Sequence, residues 1–318
     1  MSAPAARVVF LGTPEIARTL LRALASTPDI QVVAVGAQPD RPLGRGLQLT
    51  APPVKQEALR LGIPVLQPES AREPAFLEAL RELRPDLIVV AAYGQILPQK
   101  LLDLPPHGCV NVHTSLLPRW RGAAPIQWAI ASGDTETGVT LMRMDAGLDT
   151  GPMITAARTP ITDEDTAATL HDRLAALGAQ LLADTLPAYL AGRLTPRAQP
   201  AEGVTIARKI HRNDGHLDWT QSAETLWRRL RAFTPWPGAF ALVPSASHTF
   251  LLKVHAALPE APPPETAAVP GTVLPGDGSS IRVACGRGVL RLLQVQPAGG
   301  RRMDAAAFLA GHPVPRLE

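Results

Sequence analysis

The segment "RVVFLGTPEIARTLLRALASTPDIQVVAVGA", residues 7 to 37, decides the fold. Its ends, "RVVFLG" and "QVVAVGA", are apolar β-branched runs without polar alternation, the pattern of strands buried on both faces. Between them Ile16, Leu20, Leu21 and Leu24 recur at helical spacing, with Thr13 as the expected cap, Pro14 at the first helical position and Glu15 in the first turn. The alternation continues. "IPVLQ" (63–67), "DLIVVAAY" (86–93) and "GCVNVH" (108–113) read as strands, and "EPAFLEALRELR" (73–84) and "PIQWAIAS" (125–132) as helices. Strands alternating with helices predict an α/β fold with a mostly parallel, doubly wound sheet, whose ligand site lies outside the carboxyl ends of the strands.

Farther along, "GVTLMRM" (138–144) and "PMITAARTPI" (152–161) form a second strand pair around the tight segment "DAGLDTG", and residues 165–192 carry a long helical pattern. "GRLTPRAQPAEGVT" (192–205) then loses all apolar period and reads as an exposed connection. This division gives a domain over residues 1–192, a linker over 193–205 and a second domain over 206–318. One helix (222–233) and several short strand-like runs separated by turn signals make the second domain a small barrel or sandwich. "PEAPPPETAAVPG" (259–271) reads as a surface loop.

Composition narrows the class. Of 318 residues, 46% are hydrophobic and 19% charged, which suits a soluble globular chain with room for two cores. "LIVVAAYGQIL" (87–97) falls short of the roughly 20 residues a bilayer requires, and residues 1–20 lack the pattern of a secretory leader, so the expected location is cytoplasmic. Cys109 and Cys285, far apart, suggest buried thiols rather than a disulfide framework or a metal cluster. Residues 205–318 carry 13 Lys and Arg against 8 Asp and Glu, whereas residues 1–204 carry 18 against 20, a mild pointer to a polyanionic partner of the C-terminal part.

In the strand 108–113, period-two alternation points Asn111 and His113 to one face and Val110 and Val112 to the other. An Asn can donate to a developing oxyanion and a His can carry a proton near neutral pH, so the pair suits attack on a carbonyl-like centre. Glycines around "LD" in "MDAGLDTG" (144–151) let a tight loop bring Asp149 to the pair, with Asp145 competing for the role. No serine or cysteine nucleophile signature, G-x-G-x-x-G fingerprint or P-loop is present.

The runs "NVHTSLLPRWRGAAPIQWAI" and "TGVTLMRMDAGLDTGPMI" resemble the 10-formyltetrahydrofolate-dependent formyltransferases. "AQPDRPLGRGLQL" (37–49), "VVAAYGQILP" (89–98), "LDWTQSAETLWRRLRAFTPWPG" (217–238) and "LLQVQPAGGRRM" (292–303) are similar to the branch of that family that formylates methionyl-tRNA, over nearly the whole chain. A formyltransferase acting on a sugar nucleotide or ribonucleotide amine is the weaker fit. The resemblance implies a Rossmann-like catalytic domain, a small OB-like β-barrel and a monomer. It implies initiator Met-tRNA and 10-formyltetrahydrofolate as substrates, with no metal and no membrane partner. Asn111, His113 and Asp149 would be catalytic. Ser115, Leu116, Leu117 and Pro118 match the family's folate segment, and Val90, Ala91, Ala92 and Tyr93 with the loop 145–148 would line the pterin pocket.

For tRNA, the similar family loop places Arg41 and Arg45 toward the acceptor end. Here Leu47 and Gln48 stand where family members often carry lysines. Lys209, Arg228, Arg229, Arg231, Arg301 and Arg302 would supply phosphate contacts. Phe233 and Trp236 are expected in the core rather than as base-stacking platforms, "WPG" between a helix and a strand being a packing corner as often as a contact.

Overall fold

The computed structural model describes residues 5–43, 48–244, 249–261, 268–312 and 314–318. The chain divides into two units. One comprises residues 1–125, 136–160 and 171–207, and the other residues 126–135, 161–170 and 208–318.

In chain order the first part holds β1 (Ala6–Gly12), α1 (Glu15–Ala25), β2 (Ile30–Gly36), the antiparallel pair β3 (Arg41–Leu43) and β4 (Gln48–Thr50), and α2 (Pro53–Arg60). It continues with β5 (Val65–Leu66), α3 (Pro74–Leu83), β6 (Leu87–Ala91), α4 (Gln99–Leu102), β7 (Cys109–His113) and β8 (Arg121–Gly122). After these come α5 (Pro125–Ser132), β9 (Glu136–Arg143), β10 (Met153–Pro160), α6 (Ala167–Leu190) and β11 (Ile206–Ala207). The main sheet has the order β10-β9-β7-β6-β1-β2-β5. Strands β7, β6, β1, β2 and β5 are parallel, and β9 and β10 extend the β7 edge antiparallel. The chain runs outward from β1 to β5, then restarts at β6 on the opposite side. The switch point therefore lies between β1 and β6, and the crevice at their carboxyl ends is where such sheets hold ligands.

Both faces are covered, which is why the strands read as unbroken apolar runs. On one face Phe76, Leu77 and Leu80 of α3 and Leu101 and Leu102 of α4 pack with Val9, Leu11, Ile88, Val90 and Cys109. On the other, Gly178 of α6 lies close to Leu20 of α1, Val112 and Val139. Thr13 does not cap α1. The helix starts one residue later with Pro14 at the cap position, and the Thr13 hydroxyl instead crosses the switch point to donate to the Tyr93 carbonyl at 3.0 Å.

The stretch 193–205, expected as an exposed connection, is laid along the first unit. Arg197 and Met153 exchange both backbone hydrogen bonds at 2.8 Å, and β11 pairs in parallel with β8. Its lack of apolar period reflects attachment by backbone and amide groups rather than by buried hydrocarbon. No helix among the described residues is long and apolar enough to cross a membrane.

The second unit contains a 3-10 turn (Arg212–Gly215), α7 (Ala223–Ala232), β12 (Ala239–Val243), β13 (Phe250–Glu260), β14 (Val273–Leu274), β15 (Ile281–Ala284), β16 (Val289–Pro297), β17 (Met303–Asp304) and α8 (Ala305–Gly311). The strands form a curled antiparallel half-barrel in the order β12-β13-β16-β15-β14, with β17 added to β16. Leu226 and Leu230 of α7 and Phe308 of α8 fill it. The chain's last residues bond to both sheet edges: Leu242 of β12 exchanges hydrogen bonds with Glu318, and beside β14 the Gly271 carbonyl accepts from Leu317 while Val273 donates to the Pro315 carbonyl. The tail thus bridges edges that would otherwise be left unpaired.

Candidate active site

Asn111 and His113 lie at the carboxyl end of β7, beside β6 on one side and β9 on the other. They share a face with Cys109, which is still inside the α3/α4 layer, while Val110 and Val112 are buried on the opposite face. Past the edge of that layer Asn111 is half-buried. His113 is buried beneath the segment 115–120, with its Nε2 2.9 Å from the Trp120 carbonyl oxygen. A carbonyl only accepts, so Nε2 must carry the hydrogen, and in the neutral ring Nδ1 is the basic nitrogen. Burial pushes the Cys109 thiol up to about 12 and the Cys285 thiol to about 11, which leaves both unreactive.

The loop between β9 and β10 brings Asp149 to this pair. Its Oδ1 accepts from Asn111 Nδ2 at 3.3 Å, its Oδ2 accepts from the Gly122 backbone at 2.8 Å, and Oδ2 lies 3.6 Å from His113 Nδ1. Asp145, the competitor for this role, folds back on its own turn to accept from Gly147 N and Thr150 Oγ1. Asp149 sits at φ 51°, in the left-handed region that costs a non-glycine residue roughly 1–2 kcal/mol. Ala92 and Trp120, also at the site, share this region with φ of 45° and 60°. Strain of this kind persists only where neighbours hold it.

The neighbours that hold it come from the stretch 193–207. Gln199 Nε2 donates to the carbonyls of both Asp149 (2.7 Å) and Gly151 (2.8 Å), and Gln199 Oε1 accepts from Arg121 Nε and Nη2 at 3.0 and 2.7 Å. Thr205 Oγ1 accepts from the Trp120 backbone, and the Thr205 carbonyl from that of Arg121. Gly122 must approach closely: with φ 117°, a Cβ there would stand 2.7 Å from the Ala207 carbonyl oxygen. Sequence reading missed Gln199, Arg121, Gly122 and Thr205 altogether. No spacing rule marks a side chain that hydrogen-bonds a backbone some fifty positions away.

Of the residues matched to folate binding, Val90, Ala91 and Tyr93 are buried and Ala92 is exposed. The Tyr93 carbonyl accepts from Thr13 and Gln38, while burial pushes its phenol up to about 12. Ser115 is fully buried and donates to the Arg119 carbonyl. Thr140 Oγ1 ties the Ser115 carbonyl to the Leu117 N–H, so the polar groups of this run are largely consumed internally. Leu116 and Pro118 remain half-exposed. Ile96 (77% exposed) and Leu148 (60%) offer apolar edges on the loops after β6 and β9. No group of three or more His, Cys, Asp or Glu among the described residues is arranged to hold a metal ion.

The cations expected to meet tRNA fare differently. Arg41 is exposed and paired with exposed Glu69 at 3.0 Å, whereas Arg45 lies outside the described residues. Lys209, Arg301 and Arg302 are exposed, Arg302 bonding Gln294. Arg228 pairs with Glu224 at 3.0 Å along α7. Three expectations are corrected. Arg231 is buried, donates to the Thr162 and Asp165 carbonyls and stacks 4.1 Å over Trp227, while Arg229 donates to the Asp214 carbonyl and lies over Phe233, so both serve packing. Phe233 is buried, but Trp236 is 57% exposed rather than in the core.

Residues 6–186 match the family model described as Formyl transferase, and residues 209–313 the one described as Formyl transferase, C-terminal domain. The chain is 56% identical over 312 residues to a protein of Myxococcus xanthus named methionyl-tRNA formyltransferase, covering 98% of this chain and 96% of that relative. A relative of the same name from Trichlorobacter lovleyi is 48% identical over 308 residues, covering 97% and 95%. Among solved structures, an N-formyltransferase of Helicobacter canadensis in complex with folinic acid and dTDP-3-aminofucose matches with a TM-score of 0.66 over 90% of this chain and 98% of that one. Its 17% identity speaks for the shared fold alone.

Proposed function

The chain belongs to the formyl transferase family, and from that premise we propose that it transfers the formyl group of 10-formyltetrahydrofolate to the α-amine of methionine on initiator tRNA. The product is formylmethionyl-tRNA, used to initiate translation. The observation that carries the reaction type is the Asp149 carboxylate set against the Asn111 amide and facing the His113 imidazole. Near full-length identity to relatives named for methionyl-tRNA favours that substrate over an amino sugar.

The folate supplies an activated formyl group, and the chain's own side chains handle charge and protons. Asn111 Nδ2 rests at a long 3.3 Å from Asp149, so it can turn to donate to the oxygen that becomes negative when the amine adds to the formyl carbon. His113 Nδ1 takes the amine proton, since Nε2 is engaged by the Trp120 carbonyl, and passes it to the departing folate nitrogen. Asp149 Oδ2 stabilises the imidazolium formed in between, while the Gly122 N–H keeps the carboxylate in place.

Val90 to Tyr93, Ser115 to Pro118 and the loop 145–148 are the proposed folate surface. Its half-exposed Leu116 and Pro118 and the exposed Leu148 and Ile96 suit a flat aromatic ligand. Arg41 and Arg45 are proposed to reach the acceptor end, and Lys209, Arg301, Arg302 and Arg228 to meet phosphates. The catalytic domain with its connection, followed by the β-barrel, is the proposed division of labour.

The test is formyl transfer to charged initiator Met-tRNA beside elongator Met-tRNA, glycinamide ribonucleotide and an amino-sugar nucleotide. Transfer confined to the initiator supports the reading. Transfer only to a small amine overturns the substrate and leaves the roles of Asn111, His113 and Asp149 standing.

A further inference from the structure

Trp236 is used neither by packing nor by the proposed reaction. It is 57% exposed, whereas Phe233, three residues earlier, is fully buried and Trp219 is 4% exposed. It belongs to the turn between α7 and β12, which the Gly238 N–H closes on the Phe233 carbonyl at 2.9 Å. The turn packs through the Gly238 backbone and the ring of Pro237. A Cβ on Gly215 would run into the Gly238 carbonyl and stand 3.3 Å from Pro237 Cγ. The turn that carries the indole therefore packs against Gly215, the last residue of the 3-10 turn Arg212–Gly215.

That segment is cationic. From Arg208 to Arg212 only Ile210 is buried, and Lys209, His211 and Arg212 are exposed. The local acid, Asp214, is already occupied by Arg208 and by the His211 backbone N–H. Lys209 and Arg212 form no ion pair with an acid among the described residues. An exposed indole on a turn packed against the end of a segment with uncompensated cations is the chemistry that binds an unpaired nucleotide: a π-face for the base and positive charge for the backbone.

We propose that Trp236 is a stacking platform for an unpaired base of the tRNA substrate, with Lys209 and Arg212 holding the adjoining phosphates. The inference rests on the reading of Met-tRNA as substrate.

Stacking and charge separate by their salt dependence. Counterion release makes log affinity fall with log salt in proportion to the phosphates neutralised, whereas a base stacked on an indole releases no counterions. Trp236→Ala should therefore raise KM for tRNA roughly 5- to 150-fold, the range of one stacked base, without changing the salt slope. Trp236→Phe should recover most of the loss. Lys209→Ala/Arg212→Ala should make the slope shallower by about 1.4 to 1.8. Because the indole is mostly exposed, neither Trp236 variant empties a core, and the KM for the folate serves as an internal reference. If the wild type formylates Met-tRNA and Trp236→Ala has an unchanged KM for tRNA, the stacking inference falls and the function stands. If the wild type neither binds nor formylates Met-tRNA, the function falls and takes the inference with it.

Discussion

Gln199 offers a decisive perturbation, because it acts on the loop of Asp149 while taking no part in the proposed chemistry. Replacing it by Ala removes two hydrogen bonds to the carbonyls of Asp149 and Gly151 and strands the Arg121 guanidinium. Each lost neutral bond is worth about 0.5–1.5 kcal/mol, so the restraint on the loop weakens by about 1–3 kcal/mol. That equals or exceeds the roughly 1–2 kcal/mol needed to hold Asp149 left-handed, so the loop should relax and its carboxylate should leave the Gly122 N–H and the His113 ring. At 1.36 kcal/mol per tenfold, kcat should fall about 5- to 150-fold. The loss should appear in single-turnover formyl transfer at saturating Met-tRNA and folate, with KM for both changing less than about threefold, the mark of a group acting on the chemical step. Gln199→Glu is the sharper control: it keeps the length and the partner for Arg121 but has no N–H to donate. It should fail as Ala does. Wild-type kcat in Gln199→Glu would refute the reasoning, since a carboxylate cannot hold two carbonyls.

Three further outcomes follow from the same structure. Asn111→Ala should lower kcat about a hundredfold or more, the cost of one oxyanion donor, and a normal kcat would remove the amide from the mechanism. Arg231→Met should lower the midpoint of thermal unfolding by removing the hydrogen bonds that the guanidinium donates to the Thr162 and Asp165 carbonyls, while leaving the salt slope of tRNA affinity unchanged, whereas Arg301→Ala/Arg302→Ala should flatten that slope and leave the midpoint alone. Glu57, which joins Arg22 and then Arg60 through charged hydrogen bonds, is held at about 2 against an ordinary 4.5. Its folded-state value is depressed, so the stability that wild type holds over Glu57→Gln should be fully present above pH 4.5 and vanish as pH falls toward 2, as read by midpoints across an acid series.

The main sheet was legible because its strands are covered on both faces and its helices on one, so the change of period between them is written in the residues themselves. Asn111 and His113 were legible for the same reason: period two aims them together, and the switch-point rule says which end of the strand matters. Asp149 was legible only as one of two loop acids, because a loop has no period; hydrogen bonding separates it from Asp145. Arg231 was misjudged by charge counting, although Trp227 four residues earlier put a flat aromatic face where a buried guanidinium stacks. Trp236 was misjudged because a Trp-Pro-Gly corner reads as packing, yet the backbone at Gly238 and the ring of Pro237 do the packing here.

The connection between the two family domains carries the sharpest lesson about where the catalytic unit ends. Composition places that end at residue 192, and the first family match stops at 186. Hydrogen bonding places it at Ala207, because Gln199 restrains the Asp149 loop and Thr205 and β11 fasten Trp120 to Gly122, the segment that holds both His113 and Asp149. A fragment cut at 192 keeps Asn111, His113 and Asp149 in its sequence but loses every one of these restraints. Its inactivity, even toward a small amine, would therefore say nothing about the second domain. A cut after Ala207 should keep the backbone and Gln199 contacts of the loop, but residues 126–135 and 161–170 belong to the second unit, so activity such a fragment lacks on Met-tRNA is charged to the loss of that unit as a whole and not to residues 208–318 alone.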